Sequence, residues 1–197
     1  MSSIKLTADS GGGTFEIKAP SSSGNTRVLT LPDTGNLTLG SGKLLQVVQA
    51  TKTDPASATV VSGGTWVPTT PKCSITPSNA SNKILVQATI NLSVNQDNHG
   101  MHLTVLKAGA LMFVGDADGV RQRVTTATFH HTQYRSGFLH FNYLDTAGGT
   151  SAIEYSLQLS HDSGSTQTMY LNRTVSNDNS DDRPLGASSI ILSEIAA

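Results

Sequence analysis

The sequence predicts an all-β protein in two parts: a short N-terminal multichain β segment, then a jelly-roll-type β-sandwich. Three observations carry this. Apolar residues alternate with polar ones in run after run, which is the period of a strand with one face buried. Glycine, serine, proline and asparagine cut the runs apart, as turn residues do. No window holds apolar residues at helical spacing for three turns.

The N-terminal part, residues 1–42, contains four very short alternating runs. Ile4 and Leu6 flank Lys5, Phe15 and Ile17 flank Glu16, Leu29 and Leu31 flank Thr30, and Leu37 and Leu39 flank Thr38. A unit of fewer than about 40 residues rarely stabilises itself without disulfides, a metal or association, and the chain's single cysteine, Cys73, lies elsewhere. The stretch is therefore either disordered or folded against other chains. Its regular strand pattern favours the second, in which the eight apolar residues Ile4, Leu6, Phe15, Ile17, Leu29, Leu31, Leu37 and Leu39 anchor the chain by packing against those chains. Gly40-Ser41-Gly42 forms the hinge.

From Lys43 to Ala197 the expected strands are Leu44–Ala50, Ala58–Val61, Thr65–Val67, Cys73–Thr76, Lys83–Val94, Met101–Lys107, Leu111–Val114, Val120–Thr132, Ser136–Leu144, Ala152–Ser160, Gln167–Arg173 and Ser188–Ile195. Lys83–Val94 is the clearest, with Ile84, Val86, Ala88, Ile90, Leu92 and Val94 on one face and Gln87, Thr89, Asn91 and Ser93 on the other. Ile153, Tyr155, Leu157 and Leu159 repeat the pattern against Glu154, Ser156 and Gln158, and Leu139, Phe141 and Tyr143 do so against His140 and Asn142. Lys107–Ala110 is short enough to be a hairpin loop. The last run differs: Ile190, Ile191, Leu192 and Ile195 place apolar residues on both faces. Either this strand is central in the sandwich, or Ile190 and Leu192 meet a neighbouring subunit.

Composition excludes several function classes. Charged residues make up 14% of the 197 and the net charge is -1, so no basic surface for nucleic acid or anionic membrane is expected. No apolar run is long enough to span a bilayer, and no signal peptide is expected. Cys73 reads as a small buried hydrophobe. Four glycosylation-like triplets, at Asn36, Asn79, Asn91 and Asn172, are expected by chance in a chain this rich in Asn, Ser and Thr.

The run TADSGGGTFEIKAPSSSGNTRVLTLPDTGNLTLG resembles the N-terminal module of fibre and tail proteins of marine tailed bacteriophages, cyanophages in particular. The later segments CSITPSNASNKILVQATINLSV, FNYLD (Phe141–Asp145), IEYSLQLS and SSIILSEIAA, with Trp66, are similar to phage structural proteins that end in a trimeric jelly roll of the C1q or tumour-necrosis-factor kind. The resemblance implies a virion structural protein at the particle surface. It would be a homotrimer whose N-terminal strands wrap together and bind other virion proteins of capsid or tail. The chain is shorter than most tail fibres, which favours a short fibre or capsid decoration. A receptor-binding knob recognising a host surface glycan is the alternative.

Residues that could carry chemistry form no motif, so no enzymatic activity, cofactor or metal is expected. His99, His102, His130, His131, His140 and His161 include no metal-binding spacing. Asp116-Ala117-Asp118-Gly119 resembles the start of a calcium loop, but Arg121 and Gln122 follow where further oxygen ligands are needed, and a turn is expected. The run from Asn177 to Asp182 reads as a solvated acidic loop. Glu154 and Glu194 are the sandwich's strand carboxylates, both expected to face outward, so no acid pair for sugar hydrolysis is in view. Gly11-Gly12-Gly13 lacks the lysine and helix of a phosphate loop. Trp66 is expected in the core, and an exposed Tyr134 could stack on a sugar ring.

Overall fold

A computed structural model describes residues 3–7, 14–18, 24, 42–68, 71–130, 132, 134–176 and 178–197. The chain divides into two compact units, Met1–Leu39 and Gly40–Ala197. In the first, β1 (Ser3–Thr7) and β2 (Thr14–Lys18) form a two-stranded antiparallel sheet with Ile4 opposite Ile17 and Leu6 opposite Phe15. The four apolar residues of the first two runs are thus cross-strand partners. Leu29, Leu31, Leu37 and Leu39 lie outside the described residues.

The second unit is a sandwich of two antiparallel sheets. Its strands are β3 (Leu44–Lys52), β4 (Ala56–Val60), β5 (Cys73–Ile75), β6 (Lys83–Val94), β7 (His99–Lys107), β8 (Ala110–Met112), β9 (Thr126–His130), β10 (Gly137–Thr146), β11 (Ile153–His161), β12 (Gln167–Leu171) and β13 (Ser188–Ile195). The six-stranded sheet runs β3-β13-β6-β12-β4, with β10 on the other edge of β6. The five-stranded sheet runs β5-β11-β7-β8, with β9 also on β7. The chain changes sheet at β5, β6, β7, β10, β11 and β12, so the core is closed by crossovers as a jelly roll requires.

β6 is the spine because its inward set is entirely apolar. Ile84, Val86, Ile90, Leu92 and Val94 are fully buried and Ala88 nearly so. They meet Leu103, Val105, Tyr155, Leu157 and Leu159 of the opposite sheet in one cluster. Each such Leu or Ile is worth about 1.5–3 kcal/mol of transfer free energy. β13 lies between β3 and β6, with Ile190 opposite Ala50 and Ala88, and Leu192 opposite Val48 and Val86. The turn from β7 to β8 has Ala108 at φ 48° and Gly109 at φ 81°, the conformation that matches the twist of a tight hairpin.

Three expected elements come out differently. Around Trp66 there is no strand but one bridge, its N–H donating to Leu159 O and its carbonyl accepting from Leu159 N, both at 2.8 Å. The indole packs on the core, so apolar contact fixes this segment without a ladder. The run expected from Val120 to Thr132 is a strand only from Thr126, and Val120 is fully exposed. Ile190 and Leu192 are fully buried within the subunit's own core, which corrects their expected place at a subunit interface. Ile191 is the half-buried outward neighbour between them.

At the ends of the sandwich, the chain enters and leaves side by side. Gly42 N donates to Ala196 O at 2.8 Å and Ala196 N donates to Lys43 O at 2.9 Å.

Candidate functional site

The surface that the fold leaves unexplained is the outer face of the six-stranded sheet. Strand parity puts Leu45, Val47, Gln49 and Thr51 of β3 on it, with Ser189, Ile191, Ser193 and Ile195 of β13, Lys83, Leu85, Gln87 and Thr89 of β6, and His140, Asn142, Leu144 and Thr146 of β10. The registers align these into rows across the sheet. Val47, Ser193, Leu85 and Leu144 form one row, and Gln49, Ile191, Gln87 and Asn142 the next. Val47 is 53% exposed, Leu144 50% and Leu45 40%. Lys83, whose Nζ donates to Thr146 Oγ1 at 2.7 Å, is the one Lys, Arg, Asp or Glu among these positions.

Farther along β6 the same face is closed. Asn91 and Ser93 point outward yet are buried, because the chain between β12 and β13 folds over them. Ser93 Oγ donates to Arg173 O at 2.8 Å, Asn91 N to Ser188 Oγ at 3.0 Å, and Ser188 Oγ to Asn172 Oδ1 at 2.5 Å. Asn91 Nδ2 donates to Ser136 Oγ at 2.9 Å, while Asn91 Oδ1 is buried with no hydrogen-bond partner. A Cβ on Gly186 would stand 2.4 Å from Asn91 Cγ, so this position requires glycine for close approach.

Beneath the bare half lies a buried carboxylate. Glu194 shares the inward parity of Ile190 and Leu192 and is 1% exposed, against the expectation that it faces outward. It accepts from Gln46 Nε2 and Asn82 Nδ2, each at 2.6 Å, from Ser78 N at 2.7 Å and from Ser78 Oγ at 2.8 Å. Burial pushes its pKa up, but these donors outweigh burial and hold it at about 2. The charge is consumed in tying the Ser78–Asn82 loop to the end of β13. Glu154, half-buried, pairs with Lys72 at 2.7 Å.

A second polar cluster occupies one end of β7 and β11. Asp162 Oδ1 accepts from Gly100 N at 2.8 Å and lies 2.9 Å from His99 Nδ1. Burial raises the Asp162 pKa, and the His99 and Gly100 hydrogen bonds more than reverse that. Ser160 Oγ stands 3.5 Å from His102 Nδ1, a serine–histidine contact with no aspartate behind it, since Asp162 bonds to His99 instead. Gln122 breaks it: its Nε2 donates to Ser160 Oγ at 2.6 Å and its Oε1 is 3.0 Å from His102 Nδ1. Ser160 is also buried, so its hydroxyl is spent on packing rather than presented to a substrate. His161 is buried between Val60 O (Nε2, 3.0 Å) and Ser163 N (Nδ1, 3.2 Å).

The remaining candidates are placed as follows. Among the described residues no three His, Cys, Asp or Glu side chains gather as metal ligands. Asp118 pairs with Arg121 at 2.8 Å in an exposed turn, and Asp116 is exposed. In the acidic loop, Asp178 and Asp182 are engaged by Arg183, Ser176 and Ser180. Arg183 also stacks 4.3 Å from the centre of the Tyr134 ring. His140 is exposed at 3.0 Å from Thr89 Oγ1, and the side chains of His130 and His131 lie outside the described residues. Cys73 is buried, which raises its thiol pKa.

No family model matches this chain, and no curated protein matches it. Several solved virus structures are similar to it. The infectious bursal disease virus Gt strain aligns at TM-score 0.43 and 14% identity, over 88% of this chain and 43% of that one. T=1 particles derived from infectious bursal virus align at 0.42 and 14%, over 88% and 41%. The infectious bursal disease virus VP2 subviral particle aligns at 0.42 and 13%, over 93% and 47%. This chain therefore spans less than half the length of each of these three. At TM-scores under 0.5 the likeness is loose and carries no argument about role. The two-sheet, all-β fold rests on the strands of the chain itself.

Proposed function

We propose that the chain is a virion structural protein of a tailed phage. In this reading it is a homotrimeric fibre-like or capsid-decoration appendage, carried on the particle surface and anchored to other virion proteins through residues 1–42. The observation that carries the reading is the contrast between the two units. The sandwich has a full core of its own, whereas the described part of Met1–Leu39 is a lone hairpin of two five-residue strands. Such a hairpin is marginal in water by itself, and partner chains would complete it. The phage-like pattern between Thr7 and Leu39 supplies the virion part of the reading. The work of the protein is then assembly, without cofactor, nucleic acid or membrane insertion.

Imaging of intact particles is the test, with the full chain labelled at its C-terminus. Density in threefold copies on head or tail is the expected result. Light scattering on the purified full chain should give about three times 20.6 kDa, and a monomer at all concentrations would overturn the trimer.

One observation favours the alternative of a host-glycan receptor knob. Four exposed aromatic residues, Phe113, Phe129, Tyr134 and Phe138, fall within one stretch of the chain from β8 to β10. Exposed rings can stack on sugars, and retention on a host-polysaccharide array, lost in Tyr134→Ala, would favour the knob reading.

A further inference from the structure

We propose that the bare half of the outer face of the six-stranded sheet is covered by a second copy of this chain. The inference rests on the self-association in the reading above. Because the same face is matched with itself, the contact is twofold and joins copies two at a time, beside the contacts of the N-terminal unit.

Charge is the first argument. Apart from Lys83, none of the outward positions on β3, β13, the first half of β6 and β10 is Lys, Arg, Asp or Glu. A surface that meets its own copy must avoid opposing like charges, and this one has almost none to oppose. A partner selected by charge would find little here to read.

The chemistry of the rows is the second. The apolar row of Val47, Leu85 and Leu144 lies one step from the amide row of Gln49, Gln87 and Asn142. Each amide both donates and accepts, so copies of the same row can satisfy one another.

The third is the edge. β3 borders the sheet, pairs on one side only with β13, and has no charge or proline from Leu44 to Thr51. Natural proteins protect long edge strands with charge, proline or cover, and among the described residues none pairs with the free side of β3.

Area fixes how strong the contact can be. Four strands about 4.8 Å apart, over about seven residues at 3.3 Å each, give a footprint of roughly 450 Å². A stable interface takes about 800 Å² from each partner. The face alone therefore supports a weak contact, and the full assembly draws on the N-terminal unit as well.

The test uses the full chain. Val47→Lys with Leu144→Lys should raise the dissociation constant of the oligomer at least tenfold by light scattering across a dilution series. Leu111→Lys, an exposed site on the other sheet, should leave it unchanged. In a separate variant, Gln87→Cys, maleimide labelling should slow at least tenfold where the chain is assembled and recover on dilution; Cys73 is buried and labels slowly. This readout stands even if the lysine variants fold poorly. An oligomer unaffected by the lysines, with the introduced thiol freely labelled, overturns this inference and leaves the homotrimer reading standing. A wild-type monomer overturns both. Protection that persists at dilutions where the chain is monomeric means that the chain covers the face itself, which also overturns the inference.

Discussion

The two halves of one sheet face make opposite use of outward-pointing residues. At one end Asn91 and Ser93 point outward and are buried, roofed by the chain between β12 and β13 and hydrogen-bonded to Ser136, Ser188 and Arg173. At the other end Val47 and Leu144 point outward and are about half exposed. At the first end polar side chains lie under cover, and at the second apolar ones lie bare beside the exposed amides of Gln49, Gln87 and Asn142. The roof accounts for the first half, since buried polar groups persist where their hydrogen bonds are met. A second copy of the chain, as proposed, would account for the other half.

The largest effect should come from beneath the bare half. Glu194→Leu removes the acceptor for four donors from Gln46, Ser78 and Asn82, and unmet buried donors cost about 1–3 kcal/mol each. A loss of roughly 3 kcal/mol or more is expected in urea unfolding. The same group sets an acid limit. Its pKa is lowered on folding from 4.5 to about 2, so its contribution is fully present above pH 4.5 and is lost as pH falls from 4.5 through 2. The wild type should lose stability through that window and Glu194→Leu should not show that component; equal acid sensitivity in both would show that Glu194 is not the source.

Gly186→Ala comes next and strikes the roof. The added methyl would stand 2.4 Å from Asn91 Cγ, and overpacking of this kind costs about 1–3 kcal/mol. Adding Asn91→Ala removes the obstructing amide and should recover part of the loss. A double mutant no better than the simple sum of the two would mean that the roof does not press on Asn91.

Val47→Ser should do least. Each subunit's unfolding free energy should change by no more than about 0.5 kcal/mol, as at an exposed site. A larger change, measured at a concentration where the chain is monomeric, would mean that the bare half is not bare within one subunit.

Much of the sandwich was legible because alternation needs no tertiary information. Every inward residue of β6 was assigned correctly from its parity, and so were Tyr155, Leu157 and Leu159. What alternation cannot report is what lies over the outward face. Ser156, Asn91 and Ser93 read as wet and are buried. The burial of Glu194 is hidden from the sequence for a different reason. It sits at the inward parity, and carboxylates are seldom buried, yet the donors that make burial tolerable come from Gln46 and from Ser78 and Asn82, far away in sequence. The pairing of β9 with β7 begins only at Thr126, so Val120, within the expected strand, lies outside the ladder. The amide-and-leucine surface was partly visible in the two-sided β13, although the outward residue there is Ile191, not Ile190 or Leu192. The rows themselves appear only when β3, β13, β6 and β10 are set in register.

The pairing of Gly42 and Lys43 with Ala196 has a mechanical consequence. β3 is the first strand after the junction and runs antiparallel to β13 from Leu44 opposite Ile195 to Lys52 opposite Ser188. A pull on the junction directed along β3 meets the hydrogen bonds of that ladder together, in shear, instead of peeling them apart one by one. A sandwich tethered at this point would yield to such a load only when many bonds break at once, so its first strand serves as a strain-bearing root.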